Sequence, residues 1–170
     1  MYGTLQGADA YHLARGNAAW AAGAEAARTA ALVRATDYID GRYRYQLPSG
    51  IWQSMFTGVR TDGRAQPNEF PRTGAVDYDG NALPSDEVPV EVVNATYEAA
   101  LRELTAPGSL SPDFVSSEQV TREKVGPIEV SYGSSTAAGA PPNRPVIPAI
   151  DEILAPLLRR PASLPAVLVV

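Results

Sequence analysis

The sequence predicts a mainly α fold: a small helical bundle with a long ordered loop, a short β-hairpin and an extended C-terminal arm. Three observations carry this expectation. The first 47 residues contain no proline and ten of the fifteen prolines lie beyond residue 106, so helix is permitted early and restricted late. Apolar residues recur at helical spacing in residues 4–15, 24–40 and 89–105. Between residues 119 and 132 the spacing changes to the alternation of a strand.

The first helix is expected over 4–15. Thr4 can cap it, Gly16 can end it, and Leu5, Ala8, Tyr11 and His12 share a face. The second is expected over 24–40. Ala24, Ala27, Ala31, Val33, Ala35, Tyr38 and Ile39 dominate one side with Leu32 beside them, and Gly41 suits the left-handed position after its end. Trp20 is placed to cover the junction between the two. Residues 41–88 carry many glycines and prolines that break regular structure, among them Pro48, Gly50, Gly58, Gly63, Pro67 and Pro71, and read as a long loop with one hairpin and a tight turn at Asp79-Gly80. Five aromatics in it (Tyr43, Tyr45, Trp52, Phe56, Phe70) favour order.

The clearest helix is 89–105. Pro89 fits its first turn, Val90, Val93, Tyr97, Ala100, Leu101 and Leu104 recur at helical spacing, and Pro107-Gly108 ends it. Residues 119–132 alternate on either side of Gly126-Pro127, as two short strands around a bend. Residues 133–148 have linker composition. Ile150, Ile153, Leu154, Leu157 and Leu158 make 149–158 a short amphipathic helix despite Pro156, and an apolar tail follows from Pro161. The expected division is therefore a helical domain over 1–132, with the loop inserted at 41–88 and the hairpin at 119–132. A linker, a short helix and a docking arm follow over 133–170.

Composition bounds the function. A chain of 170 residues is one ordinary domain, but only 37 of its residues are Leu, Ile, Val or Phe, just above the roughly 20% at which chains stay unfolded. Twenty-seven alanines make up the difference, so the core is expected to be thin and its helices closely packed. There is no cysteine and one histidine, which excludes disulfide scaffolds, thiolate zinc sites and multi-histidine metal centres. No apolar run approaches the ~18 residues of a membrane span, and the polar N-terminus lacks a signal-peptide core, so a soluble protein that stays in the cell that makes it is expected. Net charge is −5, divided as +2 over residues 1–66 and −7 over 67–170, which argues against a general nucleic-acid binder.

The chemistry-bearing residues favour no enzyme and no resident cofactor or metal. Asp77, Asp79 and Asn81 around Gly80 resemble half a calcium loop but lack its remaining ligands, and read as a turn. Asp37 and Asp40 read as a solvated or ion-paired face, and His12 as a structural histidine. No serine elbow, phosphate loop or dinucleotide fingerprint is present. The best nucleic-acid signal is residues 42–72, where Arg42, Arg44, Arg60, Arg64 and Arg72 interleave with the five aromatics. Aromatic stacking beside arginine is how single strands are held, and Arg42, Arg44 and Trp52 are the candidate contacts. The bland reading, that the aromatics are the loop's own core and the arginines its edge, is favoured.

Three motifs occur in a fixed order: Ala31-Leu32-Val33-Arg34-Ala35-Thr36-Asp37-Tyr38-Ile39-Asp40; Phe70-Pro71-Arg72-Thr73-Gly74 followed by Leu83-Pro84-Ser85 and Val88-Pro89-Val90-Glu91-Val92; and Glu123 to Tyr132 followed by Pro148-Ala149-Ile150-Asp151. With Ala10-Tyr11-His12 and Arg15-Gly16 they resemble, over roughly residues 4–158, a family of head–tail connector (adaptor) proteins of tailed phages, some of which carry a DnaT-like single-stranded-DNA-binding label. The resemblance implies a mainly helical virion structural protein. It would form a ring, a 12-mer, below the portal, joining the DNA-filled head to the tail through the next neck or tail protein. It would lie in the virion neck, and in the host cytoplasm before assembly. Double-stranded DNA would pass through during packaging and ejection without tight binding.

On this reading Val125, Ile128, Val130 and Tyr132 supply a subunit interface, and Ile150, Ile153, Leu154, Leu157 and Leu158, with the tail, dock on the portal or a neighbour. The physical motive is apolar surface in the last third of the chain with little near it in sequence to cover it. Such a subunit would gain stability on assembly. Gly7 stands where a helix-friendly acidic residue is usual, which is expected to weaken the first cap. Residues 46–66 are longer than the pattern, and the tail after Arg160 has no counterpart in it.

Overall fold

In a computed structural model, residues 1–47, 49–112 and 145–159 are described in full, together with the backbone of 122–125 and 128–131. The helices are α1 (Leu5–Ala14), α2 (Ala18–Ala22), α3 (Glu25–Arg42), α4 (Val90–Thr105) and α5 (Pro148–Leu154), the last prolonged by a 3-10 turn over Ala155–Leu157. Three antiparallel two-stranded ribbons accompany them: β1 (Arg44–Gln46) with β2 (Trp52–Ser54), β3 (Val59–Arg60) with β4 (Arg72–Thr73), and β5 (Arg122–Val125) with β6 (Ile128–Ser131). The fold is thus the expected mainly α bundle with a short hairpin. No helix among the described residues is long and apolar enough to cross a membrane.

The centre is the pair α3–α4, onto which α1, α2 and α5 pack. Ala31 and Ala35 on α3 and Ala95, Ala99 and Ala100 on α4 are fully buried, beside Leu32, Ile39 and Val92. Small side chains let the two backbones approach closely, which is how an alanine-rich, leucine-poor chain still closes a core. The buried set of α3 is narrower than the sequence face: Ala24, Ala27 and Val33 are exposed. Trp20 is buried at the corner between α1 and α3 as expected, but it does so from its own short helix, α2, too brief to show periodicity.

Gly41 is a correction. It lies inside α3, buried, and not in the left-handed region; α3 runs on to Arg42. The reason is tertiary: the buried Tyr43 ring packs on Phe56 and its hydroxyl donates to Asp151, so the chain direction is held beyond the glycine and the helix continues to meet it. The loop 41–88 contains two paired ribbons and a Val76–Ala82 bridge where one hairpin was expected.

Gly7 is a second correction. Thr4 caps α1 through the Gly7 N–H, which donates to the Thr4 hydroxyl at 3.0 Å, so the cap is formed. The glycine is required for another reason: a Cβ at Gly7 would meet the Tyr97 hydroxyl, which itself accepts from the Thr4 N–H. Gly3, at φ +72°, is in the same position against the Tyr97 ring.

The largest correction concerns the C-terminal helix. Ile150, Leu154 and Leu157 are buried in the same core as α3 and α4, with Ile153 and Leu158 half-buried against it. Tyr38 donates to the Pro145 carbonyl, and the Tyr43–Asp151 bond holds α5 from the side. The apolar surface on which the docking expectation rested is therefore already covered by this chain. The strands β5 and β6 pair in the register Val125↔Ile128 and Glu123↔Val130, as a hairpin around Gly126-Pro127. The side chains of Val125, Ile128 and Val130, all of Tyr132, and the tail after Arg159 lie outside the described residues.

Two outcomes check this packing. Leu154→Ala should cost about 2–5 kcal/mol of stability in urea unfolding, as expected for a core leucine; an unchanged midpoint would mean that α5 is not part of the core. Gly7→Ala should cost about 1–3 kcal/mol by overpacking, and Tyr97→Phe added to it should recover part of the loss, because the hydroxyl is the atom in the way.

Candidate nucleic-acid interface

The loop 41–88 is organised by one carboxylate. Glu69 pairs with Arg60 Nη2 at 2.7 Å through one oxygen and with Arg72 Nη1 at 2.6 Å through the other. Arg72 is only 5% exposed, and its remaining donors reach the carbonyls of Thr57 and Gly58, both at 2.7 Å. The planar guanidinium holds its donors in a fixed fork, so one side chain ties the backbone at 57–58 to the segment 69–72. Beside it Tyr43, Phe56 and Phe70 are buried, with the Phe56 ring in contact with both others, Phe56–Phe70 at 4.9 Å between centroids. Three of the five loop aromatics are therefore core, as the bland reading expects, whereas Arg72 departs from it: it is buried and paired within the loop and does not stand at its edge.

What remains facing solvent is the β1–β2 ribbon. The register Arg44↔Ser54, Tyr45↔Gln53, Gln46↔Trp52 puts Arg44, Gln46, Trp52 and Ser54 on one face, because side chains alternate along a strand. Trp52 is 46% exposed and the Arg44 guanidinium lies 5.5 Å from its ring centroid. Ile51, 63% exposed, stands at the turn beside them. On the opposite face Tyr45 donates to Gln53, which locks the ribbon across its width. The geometry thus brings Arg44 and Trp52 together. Arg42 does not join them: it is half-buried at the end of α3, 5.6 Å from the Tyr43 ring. Arg64 is exposed on the 3-10 turn Gly63–Ala65. Ile51 and Glu69 escaped sequence reasoning. Only the register exposes the first, and only the fold brings the second to Arg60.

The other candidates resolve as structure. His12 is buried, its Nε2–H donating to the Tyr97 carbonyl and its Nδ1 accepting from Asn17, a pattern that the neutral ring satisfies; burial holds its pKa below the usual histidine value. Asp77 closes the turn at Gly80 by accepting from the N–H groups of Asp79 and Asn81 and from the Asn81 side chain. Among the described residues no cluster could hold a metal ion. Asp40 differs from its expectation as a solvated carboxylate: it is mostly buried, accepts from the Tyr2 hydroxyl at 2.6 Å and from the Glu69 N–H, and so joins the N-terminus to the loop. Burial raises its pKa to about 6, against the lowering effect of those two hydrogen bonds.

Residues 1–169 match the model of a family described as “Putative DnaT-like ssDNA binding protein”. Among curated proteins and among solved structures nothing matches.

A carboxyl whose pKa is raised by folding binds its proton more tightly in the folded chain. The contribution of Asp40 to stability is accordingly full below about pH 4 and is lost as pH rises through about 6. Carboxyl-carbon NMR should give Asp40 a midpoint near 6; a midpoint near 4 would mean that the N-terminal segment does not cover it.

Proposed function

The chain belongs to the DnaT-like single-stranded-DNA-binding family, and on that premise we propose that it contacts single-stranded DNA through the exposed face of the β1–β2 ribbon. The observation that carries this is the exposed Trp52 ring with the Arg44 guanidinium beside it. A base stacks on the indole, and the arginine meets the adjoining phosphate. Stacking is sequence-tolerant, since every base presents a π-face, so no base preference is expected. Arg42, at the end of α3, stands behind the ribbon as a further source of positive potential.

Magnitudes set the character of the contact. One stacked base contributes about 1–3 kcal/mol and one arginine neutralises one phosphate. A single copy would therefore bind in the high-micromolar to millimolar range, against the background repulsion of a chain with net charge −5. Effective binding would need several copies along one strand, where linked sites multiply in avidity.

That same weakness favours a second reading. The resemblance to head–tail connectors implies a ring attached to a portal, through which DNA moves. About twelve copies at −5 each would carry roughly −60, and such a channel would not retain the duplex. The pairing of both Arg60 and Arg72 with Glu69, which engages two phosphate-binding candidates within the loop, supports it.

The two tryptophans make the test direct, because Trp20 is buried and Trp52 is exposed. Titration with oligothymidylate at low salt should quench the Trp52 emission. Trp52→Ala and Arg44→Ala should each weaken binding, by anisotropy of a labelled strand, roughly fivefold or more. The log–log salt slope should be shallow, about −1 to −2, for so few phosphates. Absence of quenching at low salt would remove the strand-binding role from this ribbon and move the test to purified portal.

A further inference from the structure

A cleft of about 490 Å³ lies between the turn at 77–81 and the segment that follows the 3-10 turn. Hydrogen bonds fix its walls. The Thr57 hydroxyl donates to the Val76 carbonyl and accepts from the Val76 N–H, both at 2.8 Å. The Tyr78 N–H donates to the Pro156 carbonyl at 2.8 Å, and the Arg159 N–H to the Met55 carbonyl at 2.7 Å, beside the Phe56–Leu158 bridge. The rim is different. Tyr78 is 61% exposed, Asp79 and Arg159 are exposed, and none of the three side chains has a hydrogen bond or ion pair among the described residues. Fixed walls under an unengaged aromatic, carboxylate and guanidinium suit a planar polar ligand.

Charge decides which part of a nucleic-acid strand fits. Asp77 also lines the cleft, and hydrogen bonds from Asn81 hold its carboxyl below the usual carboxylate range, so it is charged. Two carboxylates then face one free guanidinium, because Arg72 is already held by Glu69. A phosphate is disfavoured in such a cleft. A base edge is not, since it carries donors as well as acceptors. Guanine alone among the DNA bases presents two adjacent N–H donors, at N1 and N2, to the two oxygens of one carboxylate. Its O6 and N7 accept from arginine, and its face stacks on a tyrosine ring. The cleft is also within reach of the β1–β2 ribbon. Arg159 meets the chain at Met55, three residues beyond Trp52, about 10 Å of extended backbone. Stacked nucleotides about 3.4 Å apart cover that distance in three steps.

We propose that a guanine base of the strand held at Trp52 seats in this cleft, stacked on Tyr78, with the Asp79 carboxylate accepting from its N1–H and N2–H and Arg159 donating to its O6 or N7. The ribbon contact is indifferent to the base, and the cleft adds a preference to it. This rests on the strand-binding reading of the ribbon, which strands of thymine alone test separately.

Three short labelled strands are compared by anisotropy with the full-length chain: oligothymidylate, the same strand with guanine at every third position, and one with hypoxanthine in place of guanine. The guanine strand should bind roughly fivefold or more tightly than oligothymidylate, and the hypoxanthine strand, which lacks the N2 amino group, should lose most of that gain. Asp79→Asn should erase the difference without weakening the oligothymidylate complex. Because the Asp79 side chain is exposed and makes no hydrogen bond among the described residues, the thermal midpoint should not change. Tyr78→Ala should weaken the guanine strand alone. Equal binding of the guanine and thymine strands, or a guanine preference that survives Asp79→Asn, would overturn the cleft and leave the ribbon standing. Guanosine monophosphate, which makes no ribbon contact, should compete only at far higher concentration than the guanine strand; competition at parity would overturn the assignment to a strand. Absence of binding by every strand would remove ribbon and cleft together.

Discussion

The last two turns of α3 hold the rest of the molecule. Thr36 receives the Tyr2 N–H, Asp40 receives the Tyr2 hydroxyl and the Glu69 N–H, Tyr38 reaches the Pro145 carbonyl, and Tyr43 reaches Asp151. The N-terminus, the long loop and the C-terminal helix are thus tied to one eight-residue stretch. The constraint follows from composition. A chain with few leucines and isoleucines cannot hold its periphery by apolar area alone, and tyrosine combines a large ring with a polar tip that bonds at a distance. Tyr2, Tyr11, Tyr38, Tyr43 and Tyr45 all donate from their hydroxyls, and Tyr97 accepts with its own. Burial raises the pKa of Tyr2 and Tyr43 far above the usual tyrosine value, which keeps both hydroxyls protonated as donors.

The same economy shapes the loop 41–88. A loop rich in arginine and aromatics reads as a strand-binding element, yet most of these residues hold the loop together. Glu69 engages two guanidiniums, and three rings form a cluster under them. One arginine–tryptophan pair is left on a ribbon stiffened from behind by Tyr45 and Gln53. The face so left is small, one ring and one guanidinium on a two-stranded ribbon.

Local signals were legible where the physics is local. The limits of α1 and α4, the Thr4 cap, the end of α1 at Gly16 and the Asp77–Asn81 turn each depend on a few neighbouring residues. The pairing of β5 with β6 was legible too, because alternation marks both strands. Gly41 misled because a glycine near a helix end stops the helix only if nothing downstream pulls the chain on. Gly7 misled because its reason is Tyr97, ninety residues away. The arginine–aromatic loop was legible as a composition only: residue spacing cannot say which arginines Glu69 will take.

By itself, then, the sequence determined the class of the fold, its helices, its thin alanine-rich core and the placement of an arginine–aromatic loop, since all of these follow from periodicity, composition and short-range geometry. Only the tertiary structure decided that α5 closes this chain's own core, that Asp40 is half-buried under Tyr2, and that Arg44 and Trp52 remain on the surface while Arg60 and Arg72 are engaged within the loop. The reason is the same in each case. Burial and pairing are set by which distant segments meet, and an apolar or charged residue carries no mark in sequence of the partner that will cover it.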